Sequence, residues 1–208
     1  MLSTTALLTD RYELTMLQAA LKSGKANRRG VFEVFSRTLA GGRRYGVFAG
    51  TGRLLELIKA FRFSSEEISW LLSEKVIDQP TANWLANYKF SGDIHGYAEG
   101  EIYFPYSPVL IVEASFAEAV ILETLILSVL NYDSAIASAA ARMVTAAGNR
   151  SVSEMGSRRT GEFSAVAAAR AAYIAGFSAT SNLEAGRSFG IPTMGTASHA
   201  FTLLHDSE

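Results

Sequence analysis

A chain of 208 residues that is 49% hydrophobic and 19% charged can bury a substantial core and is long enough for one large domain or two small ones. Its net charge of −1 at pH 7 supplies no global field for a polyanion, which argues against nucleic acid as a partner and confines any anion site to a local cluster. The absence of cysteine excludes disulfides, thiolate nucleophiles and Cys-ligated zinc, and His95, His199 and His205 lack the spacing of a metal-ligand set, so no metal site is expected.

Met1 to Asp10 carry neither a basic stretch nor a continuous apolar run, so no secretory leader is visible and a cytoplasmic location is expected. Asp10, with Glu13 three residues on, forms a capping-box pattern. Leu14, Leu17 and Leu21 follow at helical spacing and Gly24 stops the run, which predicts a helix over 11–23. Val31–Phe35 reads as a strand, and Gly41-Gly42-Arg43-Arg44-Tyr45-Gly46 is a basic, glycine-rich loop ahead of a helix near Thr51–Phe61. Ser64 and Glu67 cap the next helix. Ile94–Tyr97, Glu101–Phe104 and Val109–Glu113 read as strands, with Pro105 and Pro108 confining any ladder to edges or turns.

Ser115 and Glu118 repeat the capping box and open an apolar pattern that continues through Ala146 and stops at Gly148-Asn149, predicting one long, largely buried helix over about 116–146. Glu118 and Glu123 make Phe116–Leu130 too charged to span a bilayer, so no membrane partner is expected. Beyond it the texture changes to a polar turn (Glu154–Arg159), an Ala-rich helix (Ala165–Ala175), a Ser/Thr segment (Phe177–Ser181) and a short helix (Asn182–Ser188). A short buried strand through Ile191, Pro192 and Met194 then runs into Gly195-Thr196-Ala197-Ser198-His199. This βα alternation predicts an α/β fold with part of a parallel barrel, and a domain boundary near Ser107–Ser115 divides the chain into 1–112 and 113–208.

Four segments can carry chemistry, and each has a plain structural reading beside it. Thr9-Asp10-Arg11-Tyr12 with Thr15 and Met16 is a helix cap with a packed tyrosine, or a binding segment. In Glu154-Met155-Gly156-Ser157-Arg158-Arg159 the adjacent arginines form a solvated turn or a bidentate clamp for carboxylate or phosphate. Ala179-Thr180-Ser181-Asn182 is an N-cap, or an anion site at a helix start. His199 follows a glycine-loosened turn at a strand end, where α/β barrels build active sites, whereas His95 and His205 have no such setting and read as structural.

Taken in order, these segments resemble the nicotinate phosphoribosyltransferase family. The matching stretches are Leu8-Thr9-Asp10-Arg11-Tyr12-Glu13-Leu14-Thr15-Met16, Leu122-Glu123-Thr124, Glu154 to Arg159, Gly176 to Gly186, and Gly195-Thr196-Ala197-Ser198-His199. The resemblance implies an α+β N-terminal domain over 1–112 joined to the first part of an irregular type II phosphoribosyltransferase α/β barrel over 113–208. It implies transfer from 5-phosphoribosyl 1-diphosphate to nicotinate, giving nicotinate mononucleotide for NAD salvage. ATP is the co-substrate of this ligase-class reaction, acting through a phosphohistidine, and Mg2+ is expected with the diphosphate.

By the same resemblance His199 is the phosphorylated residue. Thr196 and Tyr12 contact nicotinate, with Tyr12 stacking on the pyridine ring of a neighbouring subunit in a homodimer. Arg158 lies near the phosphates or the nicotinate charge, with Ser181 and Asn182 in the substrate site. Asn182 stands where a nicotinamide-preferring relative has an acid, and its neutral amide spares a substrate carboxylate that repulsion. Family members are considerably longer, whereas this chain stops nine residues after His199. It therefore reads as an N-terminal portion, expected to be inactive alone and either completed by a second chain carrying the C-terminal half or a truncated product. The alternatives are a non-catalytic assembly module, or a phosphoribosyltransferase acting on nicotinamide or quinolinate.

Overall fold

In the computed structural model, which describes residues 4–206, Asp10 and Glu13 form the expected capping box at the start of α1 (Arg11–Lys22), the Asp10 amide donating to Glu13 Oε2 at 3.2 Å. Leu14 and Leu17 are buried on the face the heptad-like spacing selects. After α1 the chain runs β1 (Arg29–Phe35), β2 (Gly46–Val47), α2 (Thr51–Lys59), α3 (Ser65–Ser73), α4 (Gln79–Ala86), β3 (Asp93–Gly96), β4 (Ile102–Tyr103) and β5 (Pro108–Ser115). The helix at α4 was not expected, although Asp78 as N-cap and Pro80 in the first turn are its start signals. Its N-cap is engaged as those signals require, Asp78 Oδ1 accepting from the Thr81 amide at 3.0 Å.

β5 is the central strand of an antiparallel sheet ordered β1-β5-β3, in register Val31↔Glu113 and Ile94↔Val112. This corrects the expectation that proline would hold this segment to an edge. Pro108 is the first residue of the strand, where its missing amide removes no interior ladder bond, and the ladder shifts register between Val34 and Phe35 beside it.

The predicted single helix over 116–146 is two helices, α5 (Phe116–Val120) and α6 (Glu123–Ala147). The break at Ile121-Leu122 has a partner in α1. Thr9 Oγ1 donates to the Ile121 carbonyl at 3.1 Å, and the buried Glu13 carboxylate accepts from both the amide and the hydroxyl of Thr124, each at 2.7 Å. Thr124 is the second residue of α6, where an amide has no acceptor within its own helix. Glu13 supplies that acceptor from another part of the chain, so apolar periodicity alone could not reveal the break.

Two compact units divide between Ala135 and Ile136, inside α6. Ala117, Val120, Ile121, Leu122, Leu125, Ile126, Val129 and Leu130 join the core formed with Leu14, Leu17, Phe48, Leu54, Leu71 and Leu85. The first unit therefore extends past the 107–115 boundary read from the sequence. Within it Asp133, fully buried, is held by Arg53 through Nε at 3.2 Å and Nη2 at 2.8 Å. α6 is long and apolar enough to cross a bilayer by length and composition, but half of its most apolar stretch is buried, with Leu125, Ile126, Val129 and Leu130 in the core of the first unit while Leu127 and Met143 are exposed.

In the second unit β6 (Ser153–Glu154) pairs in parallel with β7 (Ala179–Thr180), and α7 (Glu162–Ile174) lies between them in sequence, as a parallel pair requires. Thr180 bridges Thr193 in parallel, giving a third strand position. The expected buried strand through Ile191, Pro192 and Met194 is reduced to this bridge. Ile191 is buried while Pro192 and Met194 are exposed, and the pairing consists of Thr180 N–H to Pro192 O and Met194 N–H to Thr180 O, both 3.0 Å.

The buried Glu13 carboxylate yields a stability prediction. Glu13→Ala leaves the Thr124 donors without their acceptor and should lower unfolding free energy by about 2–4 kcal/mol, measured by urea denaturation. A loss under about 0.5 kcal/mol would contradict the capping role. Burial, opposed by bonds from Thr124 and Asp10, raises the Glu13 carboxyl above its ordinary range. Its pH-linked contribution is therefore fully present below about pH 4.3 and is lost as pH rises through the folded value. Glu13→Gln should flatten that part of the stability curve.

Candidate functional site

The candidate residues fall into two clusters, each inside one unit. In the first, Tyr12 lies one turn into α1 and its hydroxyl donates to Glu123 Oε1 at 2.8 Å, while the side chain stays 44% exposed. The hydrogen bond to Glu123 comes first in raising the phenol to about 12, followed by burial and by the negative charges of Glu123, Glu13 and Asp10. At neutral pH Tyr12 is thus a fixed hydrogen-bond donor with an accessible ring, and it is not a general base.

The second cluster sits at the carboxyl ends of β6 and β7. Thr180, fully buried, donates to Glu154 Oε2 at 2.7 Å and accepts from the Asn182 amide at 3.0 Å. The other Glu154 oxygen accepts from the Gly156 amide. Ser181 N–H donates to the Glu154 carbonyl at 2.9 Å, continuing the parallel ladder. Asn182 is the N-cap of α8 (Leu183–Phe189): its Oδ1 accepts from the Ala185 amide at 2.9 Å and its Nδ2 donates to Ser157 Oγ at 3.1 Å. Both ends of the Asn182 amide are therefore engaged.

This geometry is that of the N-cap reading of Ala179–Asn182. The amides of Ser181, Asn182 and Ala185 already have protein acceptors, so few donors are left at this helix start. What the cluster does instead is fix two segments. Through Glu154 and Ser157 it holds the turn that carries Arg158, which is exposed together with Arg159. Through the Thr180–Thr193 bridge it holds the start of the segment that carries Thr196 and His199, also exposed.

His199 is not in the expected turn but is the first residue of α9 (His199–Leu203), with Ser198 as N-cap, and no residue of that helix is buried. Gly195 has an ordinary φ and open space around its Cβ position, so neither conformation nor crowding calls for glycine there. His95 lies exposed on β3 opposite Ile111, and His205 Nδ1 donates to the Phe201 carbonyl at 2.9 Å.

Glu154 and Thr180 lie inside the sequence motifs, where nothing local marks either for a role. Their signal is positional: each is the last residue of a short parallel strand and both carry side-chain oxygens, which is where strand ends of such folds are tied together.

A family model described as the nicotinate phosphoribosyltransferase (NAPRTase) N-terminal domain matches residues 7–131. A nicotinate phosphoribosyltransferase of Mycobacterium tuberculosis is 64% identical over 199 residues, which is 96% of this chain and 44% of that protein. One of Bacillus subtilis is 36% identical over 204 residues, 98% of this chain and 42% of that protein. Among solved structures, human nicotinic acid phosphoribosyltransferase is similar with a TM-score of 0.87 and 30% identity, covering 94% of this chain and 40% of that one. Nicotinate-nucleotide pyrophosphorylase from Pyrococcus furiosus gives a TM-score of 0.77 at 25% identity, covering 97% and 44%. These neighbours bear out the expected fold class, and the chain spans less than half the length of the curated relatives it matches.

The tightest approach in the second cluster is between α8 and the third strand position. A Cβ on Gly186 would lie 2.4 Å from Thr193 Cγ2 and 3.1 Å from the Ile191 carbonyl oxygen. In an open helix Gly→Ala stabilises by about 1 kcal/mol, but overpacking costs about 1–3 kcal/mol. Gly186→Ala should therefore destabilise the chain in thermal unfolding, and adding Thr193→Ser, which removes the clashing methyl, should recover part of the loss. A stabilised Gly186→Ala would show that α8 does not pack this closely.

Proposed function

The chain belongs to the nicotinate phosphoribosyltransferase family, and from that premise we propose that the protein transfers the phosphoribosyl group of 5-phosphoribosyl 1-diphosphate to nicotinate, with ATP as co-substrate. The observation that carries the reading is the 64% identity to a nicotinate phosphoribosyltransferase, which extends over 96% of this chain and so takes in both clusters. The product is nicotinate mononucleotide, for NAD salvage in the cytoplasm.

In this reading the exposed ring of Tyr12 stacks on the pyridine of nicotinate bound by a second copy of the protein. Thr196 offers a hydroxyl to the same substrate and Arg158 its guanidinium fork to a carboxylate or phosphate. Ser181 and Asn182 form the floor at the strand ends. Since Asn182 is held by Ser157 and by the cap of α8, it presents a neutral side chain to nicotinate, avoiding the repulsion a carboxylate would introduce.

His199 is the phosphoryl acceptor. A lone pair of the neutral imidazole attacks the γ-phosphorus of ATP and the N–P bond forms as the bond to the β-phosphate bridging oxygen breaks. ADP leaves, and the other ring nitrogen gives up its proton. The exposure of α9 leaves room for the added group, whose charge then acts on neighbouring segments. Mg2+ would enter with the diphosphate. Among the described residues no three His, Asp or Glu side chains come together to hold a metal.

The test is phosphorylation by ATP at neutral pH in the whole protein. The label should appear on His199, and His199→Ala should abolish both the label and the ATP stimulation of nicotinate mononucleotide formation while circular dichroism stays unchanged. Label on His95 or His205 would contradict the assignment.

A further inference from the structure

Tyr12 and Glu123 are 111 positions apart, yet the stretch from Thr9 to Glu13, which leads into α1, grips the α5–α6 break at three points. Thr9 Oγ1 bonds the Ile121 carbonyl, Tyr12 Oη bonds Glu123 Oε1, and Glu13 Oε1 takes both donors of Thr124. Two of these contacts have a structural account. Thr9 satisfies a carbonyl at the end of α5, and Glu13 caps α6 from a buried position.

The middle contact does not share that account. Tyr12 is 44% exposed, Glu123 is only half-buried, and neither is needed to satisfy a buried backbone group. An exposed tyrosine tethered at its hydroxyl gains little stability, since a solvent-accessible bond of this kind replaces one to water. What the tether does accomplish is to restrict the ring. Two torsions orient a tyrosine, and because the hydroxyl lies on the axis of the second, holding it while α1 holds the backbone fixes the first torsion and with it the place of the ring, on a residue that stays 44% exposed.

We infer that Glu123 is a positioning residue, holding the Tyr12 ring in one place so that a planar aromatic ligand meets a side chain whose first torsion is already ordered. This rests on the reading above, in which that ligand is the pyridine ring of nicotinate. The ordering is done before binding, so loss of the tether weakens binding rather than chemistry. Glu123 touches neither substrate nor reacting atoms.

Three variants separate this from a structural role. Glu123→Ala removes the acceptor, Tyr12→Phe removes the donor and keeps the ring, and Glu123→Gln keeps an acceptor oxygen while removing the charge. Glu123 is the first residue of α6, where a negative charge also favours the helix dipole, so a merely structural effect would treat Gln and Ala alike. In steady-state assays of the whole protein, Glu123→Ala and Tyr12→Phe should each raise KM for nicotinate about fivefold to tenfold with kcat within about twofold. The double variant should be no worse than either single one, and Glu123→Gln should be close to the parent. An unchanged KM in Glu123→Ala, additive losses in the double variant, or equal behaviour of Gln and Ala would overturn the inference.

Should the parent protein form no nicotinate mononucleotide, the functional reading fails, and the contact is then tested by the phenol itself. NMR of ring-labelled tyrosine should show Tyr12 ionising near 12 in the parent and moving toward about 10, the ordinary tyrosine value, in Glu123→Ala. A shift supports the tether whatever ligand the ring meets. No shift overturns it.

Discussion

A fully buried carboxylate that holds two donors of one threonine is the constraint on which the first unit turns. Glu13 caps its own helix through the Asp10 amide and caps α6 through Thr124, so one side chain ties the start of α1 to the start of α6. Burying an ionised carboxylate costs several kcal/mol, and three hydrogen bonds here oppose that cost without cancelling it, since the carboxyl stays raised above its ordinary range. Those bonds explain why an apolar run that would otherwise continue as one helix breaks at Ile121-Leu122. Either side of the break, Val120, Ile121, Leu122 and Leu125 enter the core with Leu14 and Leu17. The break also sets Glu123 against Tyr12, so an aromatic ring read as substrate-facing is held in place by the same joint that closes the core.

The second unit solves a related problem with smaller parts. Strands of two residues cannot hold a site by backbone pairing alone, and the pairing is reinforced by Glu154, Thr180 and Asn182. Thr180 is buried and both donates and accepts, while Asn182 serves as helix cap and as donor to Ser157. The consequence is a hydrogen-bonded floor at the carboxyl ends of β6 and β7, and the segments carrying Arg158, Thr196 and His199 extend from it in exposed positions. α8 is pressed onto this floor at Gly186, where a side chain would collide with Thr193.

Local signals were legible in the sequence wherever the partner of a residue lies within a few positions of it. The capping boxes at Asp10, Ser64 and Ser115, the strands around Val31 and Val109, the Ala-rich helix and the N-cap chemistry at Asn182 all belong to this group. What could not be read depends on distant partners. The α5–α6 break needs Glu13, the central place of β5 needs the pairing of β1 and β3 on either side, and the roles of Glu154 and Thr180 need strands 26 positions apart to be neighbours. For the site, sequence named Asn182, Ser181, Arg158, Thr196, His199 and Tyr12 through family resemblance. It did not show that the Asn182 and Ser181 amides are already engaged, or that His199 opens a short helix.

Amide hydrogen exchange at Thr124 tests the central constraint most directly, because the second amide of an isolated helix start has no intrahelical acceptor and ordinarily exchanges freely with solvent. With Glu13 Oε1 at 2.7 Å from that nitrogen, the Thr124 amide should exchange as slowly as the core amides of α6 and open only when the first unit unfolds. Exchange at the rate of an unprotected amide would contradict the account, since the start of α6 would then be capped by water and not by α1.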